Sequence, residues 1–238
     1  MALSAQEKSI EEAALNYAKQ NKKAIAKRLT AVDKFIPEEN PVSVFMAGSP
    51  GAGKTEASKE LLDKLKSKST LRIDPDELRH EFEQYDGSNA WLFQRAVSVL
   101  VEKIHDLALK QQQSFLLDGT LSNYDIAKKN IERSLKKERS VQILYVYQDP
   151  VLAWEFVLAR ETAEGRRIKP EHFIEQYFAA RNVVNRLKQE FEQSIRVDLL
   201  LKNNDNSHRS YKAGIDQVDS HVPEKYNHAD LEYRLNTV

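Results

Sequence analysis

Along the first stretch of the chain apolar residues recur every three or four positions. Ile10, Ala14, Tyr17, Ala18, Ile25, Leu29 and Val32 share one face, with Lys and Glu between them. That spacing predicts an amphipathic helix over 4–34, with Ser4 and Glu7 set as a capping box at its start. Such a helix packs on its own core or on a partner, the first being the commoner case. Pro37 and Pro41 then bracket a connector, and the pattern switches to a short apolar run at 42–47 that reads as a strand. Residues 54–66 return to helical spacing through Ala57, Leu61, Leu62 and Leu65. A short strand is predicted at 71–73 and a helix opening at Pro75, where the missing N–H costs nothing.

Asp86-Gly87-Ser88-Asn89 breaks the chain before a long helix over 90–112, carried by Trp91, Val97, Leu100, Val101, Ile104 and Ala108. The run at 114–118 is nearly all apolar and closes on an acid, as strands buried on both faces of a parallel sheet do. A basic helix to about 137 follows, capped by Ser122 or Asn123, and then a strand at 141–147. Asp149-Pro150 opens a helix to about 164, Pro170 opens another to about 193, and a strand is predicted at 195–201. Residues 203–230 turn polar and are expected to be loosely ordered, ending in a docking segment from Leu231 to Leu235.

The most specific feature is Gly48-Ser49-Pro50-Gly51-Ala52-Gly53-Lys54-Thr55, between the strand at 42–47 and the following helix. It is the P-loop pattern G-x-x-x-x-G-K-[ST] in a strand–loop–helix setting. Its glycines let consecutive backbone N–H groups curl inward around phosphate oxygens, and the next helix adds the positive end of its dipole. Lys54 is expected on the β- and γ-phosphates of ATP, and the Thr55 hydroxyl on Mg²⁺. Together the pattern predicts an α/β protein of the P-loop NTPase fold, with about five strands, mainly parallel, and helices on both faces. The expected organisation is an N-terminal helix (1–36), a core domain (37–202) and a partly ordered polar segment (203–238).

In such a sheet ligands bind outside the carboxyl ends of the strands. The first three strand ends carry the P-loop, Asp74 and Asp76, and Asp118 and Thr120. A triphosphate with Mg²⁺ and a nearby carboxylate specifies phosphoryl transfer. Asp76, just past the second strand, is the expected base for an acceptor hydroxyl. Asp74 would orient a Mg²⁺-bound water, pair with Lys54, or cap the turn behind it. Asp118 resembles the acid of a Walker B strand. It would hold Mg²⁺ through water or accept hydrogen bonds from the acceptor, with Thr120 beside it. Arg160 and Arg167 flank Gly165 and read as phosphate clamps on a closing lid, or as a solvated helix end; Arg166 reads as a bystander.

Composition narrows the classes. The 238 residues suffice for one sizeable core, and 36 basic residues balance 36 acidic ones. No global field therefore points to long nucleic acid or an anionic membrane. Cysteine is absent, which excludes disulfides and thiolate chemistry and fits a reducing cytosol. No signal peptide is evident, no apolar run reaches the ~18 residues a membrane span needs, and a cytoplasmic location is expected. The six histidines show no metal-ligand spacing.

The assembled residues resemble the zeta toxin family of kinases. The resemblance covers about residues 42–192. It rests on the P-loop, Ile73-Asp74-Pro75-Asp76, Asp118-Gly119-Thr120, Arg160 in a helix, and Arg167 before Ile168-Lys169-Pro170. It implies an ATP-dependent kinase acting on a sugar hydroxyl of a nucleotide sugar, typically UDP-N-acetylglucosamine, as the toxin of a toxin–antitoxin pair. In that family the second-strand Asp is the base, the matching arginines bind phosphates, and the usual partner is a small helical antitoxin; docking such a partner, or regulating the site in cis, are roles for the 4–34 helix that rank behind simple packing on its own core. Two positions depart from the pattern: Asp118 stands where the family usually has Glu, and Ser122 where it usually has Arg. Both face the acceptor in the family, so another acceptor stays open: a dinucleotide such as NAD, an RNA 5′-hydroxyl or an antibiotic. A nucleotide-dependent switch ATPase is the alternative of a different class.

Overall fold

Hydrophobic alternation along short strands sets the architecture. In the computed structural model, which describes residues 3–64, 70–165, 167–202, 209–223 and 226–236, six strands form one sheet. β1 (Val42–Ala47), β2 (Leu71–Ile73), β3 (Phe115–Leu117), β4 (Ser140–Tyr147) and β5 (Arg196–Lys202) are parallel, in the order β2-β3-β1-β4-β5. β6 (Arg209–Lys212) closes the far edge antiparallel to β5. Successive side chains point to opposite faces. Phe45, Phe115, Ile143, Tyr145 and Leu199 therefore enter the larger core, while Val44, Met46, Leu116, Leu144 and Val146 enter a smaller one.

The smaller core is covered by α2 (Lys54–Lys64) through Ala57, Leu61 and Leu62. The larger is covered by α3 (Gln94–Lys110), α4 (Tyr124–Leu135), α5 (Pro150–Glu164) and α6 (Pro170–Phe191). α1 (Ala5–Leu29) lies on α3, burying Ala14, Ala18, Ile25 and Ala26. Its start is the expected capping box: Ser4 Oγ accepts the Glu7 N–H, and Glu7 accepts the Ser4 N–H. The Thr30 carbonyl at its end accepts the side-chain amides of Gln111 and Gln113. Among the described residues no helix is long and apolar enough to cross a membrane.

Several boundaries differ from expectation. Pro75 opens no α-helix; a 3-10 turn over Glu77–Glu81 follows instead, with i→i+3 bonds from Arg79 N–H to the Asp76 carbonyl and from Phe82 N–H to that of Arg79. Residues 90–93 form a second 3-10 turn with no side-chain cap, so α3 begins at Gln94. Asn123, rather than Ser122, caps α4 through the Ile126 N–H. The sheet has six strands where about five were expected. The extra one, β6, is polar and is held by a group on its neighbour. Asp198, fully buried on β5, accepts Gly214 N–H at 2.7 Å, Gln142 at 2.5 Å, and the hydroxyl of Tyr211. Burial would raise the Asp198 pKa, but Arg196, Tyr211 and the Gly214 amide outweigh it and hold the carboxyl below its usual range. Beyond β6, Ile215, Val218 and Val222 are buried, and α7 (His228–Asn236) docks through Leu231 and Leu235 on α5 and α6.

Candidate active site

β1 lies between β3 and β4, so chain connections diverge to either side of it and leave a crevice at its carboxyl end. Residues 48–53 occupy that end. The backbone there leaves no room for side chains at two places. At Gly48 (φ 132°) an added Cβ would sit 2.3 Å from the Val146 carbonyl oxygen, and at Gly51 (φ 71°) 2.0 Å from that of Ala153. The loop is thus pressed against β4 and the first turns of α5. Lys54 Nζ curls back over it, donating to the carbonyls of Gly48 (3.0 Å) and Ser49 (2.7 Å). Ser49, Pro50 and Ala52 are buried, while Gly51, Gly53, Lys54 and Thr55 are half-buried along the rim. Thr55 stands in the first turn of α2, and its carbonyl accepts the Ser58 hydroxyl. A glycine-lined curl, a lysine at its mouth and a hydroxyl at a helix start form a set of groups that fits a polyphosphate.

The other two strand ends are tied to this loop. The Gly48 N–H donates to the Thr120 carbonyl at 3.2 Å, which brings the end of β3 against the P-loop. The Thr120 hydroxyl in turn lies 3.0 Å from that of Ser122. Asp118 is buried, and its Oδ2 accepts Ser58 Oγ (3.1 Å) from α2 and Arg72 Nη2 (2.6 Å) from β2. The same Arg72 nitrogen reaches Asp74 Oδ2 at 2.5 Å; Arg72 Nε reaches Ser58 Oγ at 3.1 Å and Nη1 reaches Glu77 at 2.6 Å. One guanidinium therefore joins β2, β3, α2 and the turn after β2. Burial opposes the charge on Arg72, but Asp118, Asp74 and Glu77 outweigh it and raise its pKa. Asp74 is pushed above the usual carboxylate range, chiefly by burial, with Arg72 pulling the other way.

Asp74 thus takes the capping role, its Oδ1 accepting the Asp76 N–H at 2.8 Å. Asp76 follows at the rim with its side chain 41% exposed, and its Oδ1 accepts Arg79 Nη1. Arg79 is buried and also donates to Gln94 at 3.3 Å. Asp76, Asp118, Thr120 and Lys54 consequently share the carboxyl rim of the sheet. Asp118 faces inward to Arg72, whereas Asp76 remains accessible.

The expected lid arginines stand apart from this web. α5 starts against Gly51 and runs outward to a half-buried Arg160, then ends at Gly165 in a left-handed cap (φ 72°) that bonds the Glu161 carbonyl. Arg167 is 74% exposed, with Nε 3.6 Å from Glu161. Arg166 lies outside the described residues. The loop at 85–89 abuts this helix end: an added Cβ on Gly87 would meet the Glu164 carbonyl at 2.3 Å.

Sequence reasoning passed over Arg72, Arg79 and Ser58. The available signal for Arg72 was an arginine in the middle of a Leu-Arg-Ile strand, where alternation must aim it opposite to its two core neighbours. Arg79 and Ser58 had no comparable signal.

The model of the zeta toxin family matches residues 26–216. No curated protein sequence matches the chain. Among solved structures, the chain is similar to one from the PezAT chromosomal toxin–antitoxin system of the human pathogen Streptococcus pneumoniae. The TM-score is 0.63 at 17% identity, covering 99% of this chain and 97% of that one. It is also similar to AvrRxo1-ORF1:AvrRxo1-ORF2 with sulphate ions (TM-score 0.60, 16% identity, 90% of this chain and 70% of that one). A third match is AvrRxo1-ORF1:-ORF2 with ATP (TM-score 0.57, 16% identity, 85% and 65%). At such identities these likenesses speak to the fold, which is the α/β P-loop architecture read from the sequence. The family match spans the sheet, the loop at 48–55 and all three strand ends, and on it the chain belongs to the zeta toxin family.

Proposed function

We propose that the protein is an ATP-dependent kinase that phosphorylates a hydroxyl of a small molecule, and that it acts as the toxin of a toxin–antitoxin pair in the cytoplasm. The observation that carries this reading is the joining of Lys54 and the P-loop to an accessible Asp76 through Thr120, Asp118 and Arg72 on one rim of the sheet. Family membership and the structural likeness to an assembly with ATP support it.

Backbone amides of 48–53 and the Lys54 ammonium would hold the triphosphate, and Arg160 in the last turns of α5 and Arg167 just beyond that helix would close on its outer oxygens. Thr55 would be the protein ligand of Mg²⁺, which supplies charge neutralisation between the phosphates; among the described residues no cluster of three His, Asp or Glu forms a separate metal site. Asp76 would accept the proton of the acceptor hydroxyl as its oxygen bonds to the γ-phosphorus and the bond to the bridging oxygen of ADP breaks. The acceptor is a nucleotide sugar of the UDP-N-acetylglucosamine kind, and the protein partner a small helical antitoxin on the exposed face of α1.

One observation favours a different acceptor with the same chemistry. Asp118 Oδ2 is engaged by Arg72 and Ser58, and the Ser122 hydroxyl lies against that of Thr120, so both groups are partly committed inside the fold where a sugar would meet them. One experiment addresses both. The protein is incubated with Mg-ATP and, in parallel, UDP-N-acetylglucosamine, NAD and a metabolite extract, and mass spectrometry looks for a species heavier by one phosphate. Asp76→Asn is expected to abolish transfer while Mg-ATP still binds. Since that change also leaves the buried Arg79 beside a neutral partner, its melting curve is read alongside. ATP consumption giving only free phosphate with every acceptor would refute the kinase reading.

A further inference from the structure

β5 ends on a lysine that no motif singles out. Leu200 packs on the α2 side of the sheet, and strand alternation sends Lys202, two residues on, to the same side. Its side chain is buried, at 8% exposure, and its Nζ donates to the carbonyl oxygen of Gly53 at 2.9 Å. That carbonyl also accepts the Ala57 N–H at 3.1 Å, so it points along α2, away from the loop. The space beside Gly53 is where the ammonium sits: an added Cβ would lie 1.9 Å from Nζ.

A peptide unit is planar and trans, so its C=O and the next N–H point in opposite directions. Fixing the Gly53 carbonyl downward therefore fixes the Lys54 N–H upward, toward the place the P-loop reserves for phosphate. The ammonium also adds a positive charge at the start of α2, where the helix dipole already favours an anion. We infer that Lys202 is a positioning residue of the phosphate cradle: it clamps the Gly53–Lys54 peptide from the neighbouring strand so that the loop is set for the polyphosphate of a nucleoside triphosphate. The inference rests on the ATP-binding half of the proposed function. It is independent of the acceptor, and it adds the last residue of β5 to a phosphate cradle otherwise formed by the loop between β1 and α2.

The test is calorimetric titration of the full chain with Mg-ATP and Mg-ADP, and saturation-transfer NMR with adenosine, on the wild type and on Lys202→Met, Lys202→Gln and Lys202→Arg. Melting curves identify any variant that fails to fold, and the remaining ones carry the comparison. Loss of a charge-assisted contact predicts that Lys202→Met weakens Mg-ATP and Mg-ADP about tenfold or more. Adenosine binding is expected to stay within about twofold of wild type, since the contact acts on the phosphate end alone. Lys202→Gln is expected to resemble Met, and Lys202→Arg to recover most of the loss. Equal weakening of all three ligands would mean that the lysine merely anchors β5, and unchanged Mg-ATP affinity in a folded Lys202→Met would overturn the inference while leaving the kinase reading intact. A wild type that binds no Mg-ATP would sink both.

Discussion

His105 gives the sharpest quantitative expectation. It lies on α3, 1% exposed, with its ring 4.8 Å from that of Phe115 and 6.2 Å from that of Phe45, both edge-on. Its Nε2 is buried without a hydrogen-bond partner, and its Nδ1 lies 3.3 Å from Arg133 Nη1. Burial first, then the charges of Arg133 and Arg139, push its pKa from 6.5 down to about 3, against a small opposing hydrogen bond from Asn130. The folded imidazole thus binds a proton more weakly than the unfolded one. Below pH 6.5 the unfolded state holds the extra proton, so this group leaves stability intact at neutral pH and erodes it progressively from about 6.5 toward about 3. At pH 5 the unfolded side chain is almost wholly protonated and the folded one almost wholly neutral, a linkage of about 2 kcal/mol that nearly vanishes at pH 7. His105→Leu has no proton to exchange. Urea unfolding of both proteins at pH 7 and pH 5 is therefore expected to show the wild type losing about 2 kcal/mol more than the variant between the two pH values. Every carboxylate contributes equally to the two proteins and cancels in the comparison. Parallel losses would refute the reasoning, because they would show that His105 accepts a proton without leaving the core.

Three further outcomes follow from contacts described above. Gly51→Ala combines a left-handed backbone with a Cβ 2.0 Å from the Ala153 carbonyl; it should cost about 1–3 kcal/mol in urea unfolding and abolish Mg-ATP binding in calorimetry. Arg72→Met strips Asp74 and Asp118 of their shared cation and should destabilise by about 3–5 kcal/mol at pH 7, with the deficit narrowing in acid as the buried Asp74, already raised and now without Arg72, protonates. A deficit independent of pH would count against the charge web. Asn123→Ala removes the cap at the start of α4 and should lower stability by about 1 kcal/mol without altering nucleotide affinity.

Much of this molecule can be read from its residues because its central strands are buried on both faces. β1 falls where an apolar run placed it, the short β2 falls at the expected 71–73, and α5 runs from its Asp149 cap to Gly165 as expected. What stayed hidden depends on partners distant in sequence. β6 has no apolar stripe of its own and exists because Asp198 on β5 needs donors. The turn after β2 closes in i→i+3 bonds that the Pro75 signal alone does not distinguish from the start of an α-helix. Asp118 was legible as an acid at a strand end, but its engagement with Arg72 depends on two neighbouring strands and on Ser58 of α2. Lys202 reads in the sequence only as the polar stop of a strand.

The borders of the sheet also limit how this protein meets others. One border is β2, only three residues long, with Arg72 already committed to four groups inside the fold. The other is β6, four residues long, carrying basic side chains at both ends of its sequence. Short, charged borders make poor templates for a foreign strand. Recognition by another polypeptide is thereby directed to helices and loops, and the continuous hydrogen-bonded ribbon of the interior ends with the molecule itself.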